Sequence, residues 1–205
     1  MPNDATSSLP RGGTMNDGIR VTGGLTILLT LGGAGCTAVS PQEGEATLEA
    51  VDVPWSEIQA VLDSPEGGTD RQVRVVDIGP SNLAVGILHR TATSAEGSPV
   101  TGIVHSEVTE VYYITSGSGT LVTGGEIVNR SPPMTGQIVD EVVGPSFTGE
   151  SQGGQSRVVS EGDVVVIPAG VFHGWPEVPD HVTYLSIRPD PNRVLPAGYA
   201  NPAIQ

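Results

Sequence analysis

The chain has 205 residues, a formal net charge of −14, nine arginines and no lysine, which excludes phosphate-backbone binding by a basic patch and all lysine Schiff-base chemistry. A single cysteine, Cys36, excludes an intramolecular disulfide. With 28 glycines, 17 prolines and 4% aromatic residues, the composition describes a turn-rich β protein whose core rests on Val, Ile and Leu.

Residues 19–36, IRVTGGLTILLTLGGAGC, come first in chain order. Arg20 leads an apolar centre, Leu25 to Leu31, and Gly33, Ala34 and Gly35 precede Cys36. The segment is too short and too broken by glycine to span a membrane well, and it reads as an export signal over residues 1–36. Met15 is an alternative true start. The layout resembles a bacterial lipoprotein signal, which implies a lipid anchor at Cys36, although Gly33 departs from the leucine usual at its position. A buried structural helix is the competing reading. The expected location is the periplasm or cell envelope.

Residues 37–69 read as a polar tether followed by a short helix. In VPWSEIQAVL, Pro54 suits the first helical position, and Trp55, Ile58, Val61 and Leu62 have helical spacing. Residues 70–190 read as one β domain. Strands are predicted at RQVRVVDIG, at Asn82 to Thr91 and at VTGIVHSE, with a hairpin of EVYYITSG and GTLVTGG around Gly117, Ser118 and Gly119. A Gly/Pro/Ser-rich insertion, residues 129–157, follows, with a candidate strand at Gln137 to Val143. DVVVIPAG, VFHGW and HVTYLSIRP supply three more strands, and residues 191–205 form an irregular tail. Eight or nine short strands at this spacing argue for a sandwich or barrel.

Two segments carry a shared signature. Gly162, Pro168, Gly170 and His173 have the spacing Gly, five residues, Pro, one residue, Gly, two residues, His, and Glu177 stands where an Asn closes the pattern. Upstream, His105 precedes Glu110 by five positions, and six residues separate Glu110 from Gly117. Together these segments resemble the paired motifs of the cupin superfamily over about residues 70–190. The first motif is degraded, because Ile103 stands where a histidine is expected.

The resemblance implies an all-β double-stranded β-helix (jelly-roll) barrel, on which the short N-terminal helix read above packs, and a homodimer. It also implies one divalent metal (Fe, Mn, Zn or Ni) on His105, Glu110 and His173. Two imidazoles and a carboxylate with open positions suit such an ion. His89, on the preceding strand, and Glu107, two residues after His105, are the candidates to replace the missing histidine. The plainer reading makes His89 a wall residue and Glu107 a solvated turn residue. Tyr112 shares strand parity with Glu110 and is expected inside, with Tyr113 outside. Arg90, Tyr184 and Arg188 are candidate pocket residues for an anion, with structural roles the simpler alternative. Phe172 and Trp175 are expected to pack the rim, and His181 to lie at the surface.

The chain carries no nucleophile elbow, no phosphate loop and no dinucleotide fingerprint. Three functional readings remain. The first is an exported metal-binding protein that acts on or binds a small organic molecule, by dioxygenase- or isomerase-like chemistry if it is an enzyme. The second is a non-catalytic sensing or binding module, and the third a metal-free structural domain.

Overall fold

The computed structural model describes residues 49–95 and 97–205. The expected export segment with Cys36, and most of the tether, lie outside these residues. No helix among the described residues is long and apolar enough to cross a membrane.

Helix α1 spans Trp55–Asp63, with Pro54 at its N-cap. Ile58 and Val61 point inward and pack on Val73 and Ile87. Burying each such side chain stabilises the fold by about 1.5–3 kcal/mol. The C-terminal carbonyls of α1 have no partners within the helix, and Arg71 supplies them. Its Nη1 donates to the carbonyls of Val61, Leu62 and Ser64 at 2.9, 2.6 and 3.0 Å.

Nine strands follow among the described residues: β1 (Asp70–Asp77), β2 (Asn82–Ser94), β3 (Val100–His105), β4 (Glu110–Thr123), β5 (Glu126–Val128), β6 (Ser146–Gln152), β7 (Gln155–Ser160), β8 (Val164–Ile167) and β9 (His173–Asp190). The expected strand number holds, but the closed barrel does not. Neighbouring strands run β1-β2-β9-β3-β6-β5, while β4 pairs with β7, β8 and β9. No ladder joins β1 to β5, so the fold is a predominantly β, cupin-like sheet that stays open rather than a jelly-roll barrel. The free edge of β1 is instead covered by the C-terminal segment. Val75 donates to the Tyr199 carbonyl, Asn201 donates to the Val73 carbonyl, and Arg74 bridges to Ala200. An edge whose backbone groups are satisfied this way has no need of a closing strand. The tail is thus irregular but packed, with Leu195 buried against Val75, Ala84 and Val108.

Two further expectations fail for one reason, which is strand length. EVYYITSG and GTLVTGG are a single strand, β4, and VFHGW and HVTYLSIRP are a single strand, β9. β4 pairs with β9 along most of its length, with register shifts between Ile114 and Ser116 and between Gly117 and Thr120. Gly117 has φ of 73°, and a Cβ there would collide with the His181 carbonyl. The Gly-Ser-Gly sequence therefore makes an irregularity inside a strand, not a hairpin turn. The candidate strand at Gln137 to Val143 is instead a π-helical turn over Val139–Val143.

The main core lies between β2, β4 and β9, where Leu88, Tyr112, Ile114, Leu121, Val182 and Tyr184 are buried together. A second patch of Val104, Phe147 and Phe172 secures the end of the sheet that holds the site.

Candidate metal centre

Three strand ends meet at the site. His105 is the last residue of β3, Glu110 the first of β4 and His173 the first of β9. Register brings them together. Ile103 pairs with His173 across β3 and β9, and His105 lies two residues further along the same face as Ile103. Among the described residues, His105, Glu110 and His173 form the one group of three or more ligating side chains, with one ligand atom from each within 4.8 Å of the others. All three are buried, at 4%, 1% and 3% exposure.

The hydrogen bonds behind the imidazoles fix how they present themselves. His105 Nδ1 lies 2.9 Å from Ser146 Oγ, whose own proton goes to the Gly144 carbonyl at 2.9 Å. His173 Nδ1 lies 3.2 Å from the Val171 carbonyl, which can only accept. The network thus assigns the proton to Nδ1 on both rings and leaves each Nε2 with a bare lone pair. Both Nε2 atoms face Glu110 Oε2, at 3.2 Å from His105 and 3.1 Å from His173. Three acceptor atoms converge with no proton between them, an arrangement that a cation relieves. Donor atoms about 2.1 Å from one ion and at right angles lie about 3.0 Å apart, so the spacing suits a shared ion.

Glu110 is held as firmly as the histidines. The Tyr112 hydroxyl donates to Oε2 at 2.7 Å, and the Ser186 hydroxyl and Arg188 Nε donate to Oε1 at 2.7 and 3.0 Å. Burial alone would push its carboxyl up, but the Arg188 guanidinium holds it well below the usual carboxylate range. Burial and the Glu110 charge push the Tyr112 hydroxyl well above the ordinary tyrosine value, so it remains a donor. Arg188, with no exposed surface, also donates to Gln72 Oε1 at 2.8 Å and to Asp70 Oδ2 at 2.5 Å. Gly86 makes its room, since a Cβ at Gly86 would lie 2.8 Å from Arg188 Nη1.

A cavity of about 570 Å³ opens beside the three ligand candidates and is lined by His105, His173, Tyr112, Arg90, Trp175 and Ile103 among others. Met134, Ile138, Val143 and Thr148 also line it. The segment read as an insertion therefore builds one wall of the cavity and, through Ser146, orients His105.

The other sequence candidates fall elsewhere. β2 parity puts Leu88 and Arg90 at the cavity and turns His89 to the opposite face, where its Nδ1 meets Thr183 Oγ1 at 2.8 Å and its ring stacks on His181. Glu107 lies beyond the end of β3 and accepts from Asn192 Nδ2 at 3.1 Å. Neither residue joins the cluster, and Ile103 fills the vacant motif position with apolar surface facing the cavity. Tyr112 is buried and Tyr113 exposed, as strand parity requires. Tyr184 and Arg188 lie behind the site rather than in its wall. Sequence reading missed Ser146, Ser186, Asp70 and Gln72. Ser186 had a signal, because it shares parity with Tyr184 and Arg188, but Ser146 had none.

Ser146→Ala is expected to weaken metal binding by about 10–100-fold while leaving the fold intact, because the alanine frees the His105 ring to rotate. Competition against a chromogenic chelator measures it, and an unchanged affinity would show that Ser146 does not orient the ligand.

Residues 58–194 match the family model described as Cupin. Among solved structures, the chain is similar to BH2720 from Bacillus halodurans, at 15% identity over 72% of this chain and 86% of that one, with a TM-score of 0.42. It is also similar to an uncharacterised conserved protein with a double-stranded β-helix domain from Klebsiella pneumoniae, at 15% identity over 75% and 93% of the two chains, with a TM-score of 0.38. The Clostridium difficile EutQ protein is similar at 15% identity over 69% and 82%, with a TM-score of 0.34. No curated protein matches the chain.

Proposed function

The chain belongs to the cupin family, and from that premise we propose that it binds one divalent metal ion through His105, Glu110 and His173, beside a cavity that takes a small organic molecule. The observation that carries this reading is the convergence of two imidazole lone pairs on one carboxylate oxygen, each ring oriented from behind by its Nδ1 hydrogen bond. A bound ion would supply Lewis acidity or dioxygen activation, the chemistry of a two-histidine, one-carboxylate set with open positions. The protein's own groups hold and orient. Ser146 and the Val171 carbonyl fix the imidazoles, and Tyr112, Ser186 and Arg188 fix the carboxylate. Ile103, in place of a further ligand, leaves that side open to the cavity.

Plasma mass spectrometry of the purified protein should find about one divalent ion per chain, and chelation should lower the melting temperature, since the ion binds the folded state alone. Protein that stays metal-free after incubation with Fe(II), Mn, Zn and Ni salts would defeat the reading.

A further inference from the structure

β3 and β9 pair at Ile103 and His173, and beside that pair the two chains touch backbone to backbone. Glycines make the contact. A Cβ on Gly102 would collide with the His173 carbonyl oxygen and lie 2.6 Å from Cζ of Phe172. A Cβ on Gly174 would collide with the Thr101 carbonyl oxygen and lie 3.2 Å from the Gly102 Cα. No side chain fits between backbones this close, so glycine is what allows the two strands to meet here. Gly102 precedes His105 in β3, and Gly174 follows His173 directly in β9. The contact therefore lies between two of the ligand candidates.

Neither strand is free to give way. β9 is held by β4, where Thr123 pairs with His173 and Val122 with Gly174. β3 is held by β6 along its whole length, from Val100 on Ser151 to His105 on Ser146. Two more backbone hydrogen bonds pin the ends that carry the histidines. The Gly124 N–H donates to the Phe172 carbonyl at 2.9 Å, and the Gly170 N–H donates to the His105 carbonyl at 2.8 Å. A methyl group placed between β3 and β9 pushes them apart against these bonds, because a close-packed interior transmits strain. The separation matters to the chemistry. The two imidazole centres are 5.0 Å apart, and their Nε2 atoms lie 3.2 and 3.1 Å from Glu110 Oε2. Glu110 is tied to Tyr112, Ser186 and Arg188, so it cannot follow a displaced histidine.

We propose that Gly102 and Gly174 are positioning residues of the metal centre: their backbone contact sets the distance from His105 to His173, and with it the affinity of the site for its ion. The inference rests on the reading of His105, Glu110 and His173 as ligands. Neither glycine offers the ion a group of its own, and both act through the histidines beside them. The glycines of the sequence signature do a different job. Gly162 and Gly170 have φ of 91° and 82° and open space where a Cβ would stand, so they turn the chain. Gly102 and Gly174 have no such backbone angle, and what they supply is closeness.

Zn(II) affinity of the full chain, read by competition with a chromogenic chelator, tests the proposal. Two further readings accompany it: visible absorption of the Co(II)-loaded protein and the melting temperature of the metal-free protein. Gly102→Ala and Gly174→Ala should each weaken Zn(II) by about 10–100-fold, the range for losing the support behind a ligand. Both should also change the Co(II) bands, which report ligand geometry rather than stability. Gly149→Ala is the reference. Gly149 pairs with Gly102 across β3 and β6, but the nearest neighbours of a Cβ there are Ile127, Val128 and Arg130. It should keep the wild-type affinity and spectrum, whatever its melting temperature. If Gly102→Ala is too unstable to purify, adding Phe172→Leu takes the ring out of the collision and leaves the carbonyl in it. Compared with Phe172→Leu alone, that double variant should still bind Zn(II) at least about tenfold more weakly. Wild-type affinity in the Gly102 or Gly174 variants, an unchanged Co(II) spectrum, or an equal loss in Gly149→Ala would each overturn the inference while wild type still binds the ion. A wild type that binds neither Zn(II) nor Co(II) overturns the reading beneath it as well.

Discussion

His173→Ala should purify with less than about a tenth of an ion per chain, against about one for the wild type, and bind added metal at least about a hundredfold more weakly. The size follows from the ligand count. A structural zinc site of four ligands is worth about 10–16 kcal/mol, or about 2.5–4 kcal/mol for each ligand, and every 1.4 kcal/mol is tenfold in affinity. A three-ligand site has no spare. Ile103 occupies the position from which a further imidazole could compensate, and His89 is turned to the other face of β2. His89→Ala is therefore the matched control: it removes a histidine one strand away and should leave metal content unchanged. Circular dichroism should show both variants folded. If His173→Ala keeps its metal, the three-residue centre is wrong, and if His89→Ala loses it, the ligand set is wrong.

The site was legible where its chemistry is local in sequence. The interval from Gly162 to His173 reads directly as a strand, a break and an inward histidine, and the structure has β8, a turn and the start of β9 there. The spacing of His105, Glu110 and Gly117 likewise found two of the three clustered side chains. What escaped depends on partners far away in sequence. Nothing near Ser146 announces that it will stand behind His105, 41 positions earlier. Asp70 and Gln72 reach Glu110 only through Arg188, more than 110 positions later. The hairpin at Gly117 misled because glycine serves a turn and an in-strand irregularity equally well, and only the β9 backbone beside it decides between them. Barrel closure was not legible either, since the cover on the β1 edge comes from residues of the tail that have no strand pattern.

Arg188→Met should destabilise the protein by about 3–5 kcal/mol, the usual cost of leaving a buried partner charge uncompensated. For a domain of this size that lowers the melting temperature by about 6–20 °C, and urea denaturation should show a matching fall in midpoint. The guanidinium has three acceptors, Glu110 Oε1, Gln72 Oε1 and Asp70 Oδ2, and none of them has another cation in contact among the described residues. Methionine fills much of the same space beside Gly86, so the loss reads as charge and hydrogen bonding more than as a void. The deficit should be smaller with metal than without it. A divalent ion on Glu110 supplies part of the positive charge that Arg188 gave, so saturating Zn(II) should stabilise the variant by more than it stabilises the wild type. Arg188→Lys, which keeps the charge and loses the fork, should fall between the two and keeps the comparison measurable if the methionine variant is too unstable to purify. A variant within about 1 kcal/mol of wild type would show that the buried ion pair contributes no more than an exposed one does. Equal metal-induced stabilisation in both proteins would show that Arg188 and the ion do not share the Glu110 charge. Arg188 thus holds Glu110 ionised and oriented before any ion arrives, and it links that carboxylate to Asp70 in the cavity wall.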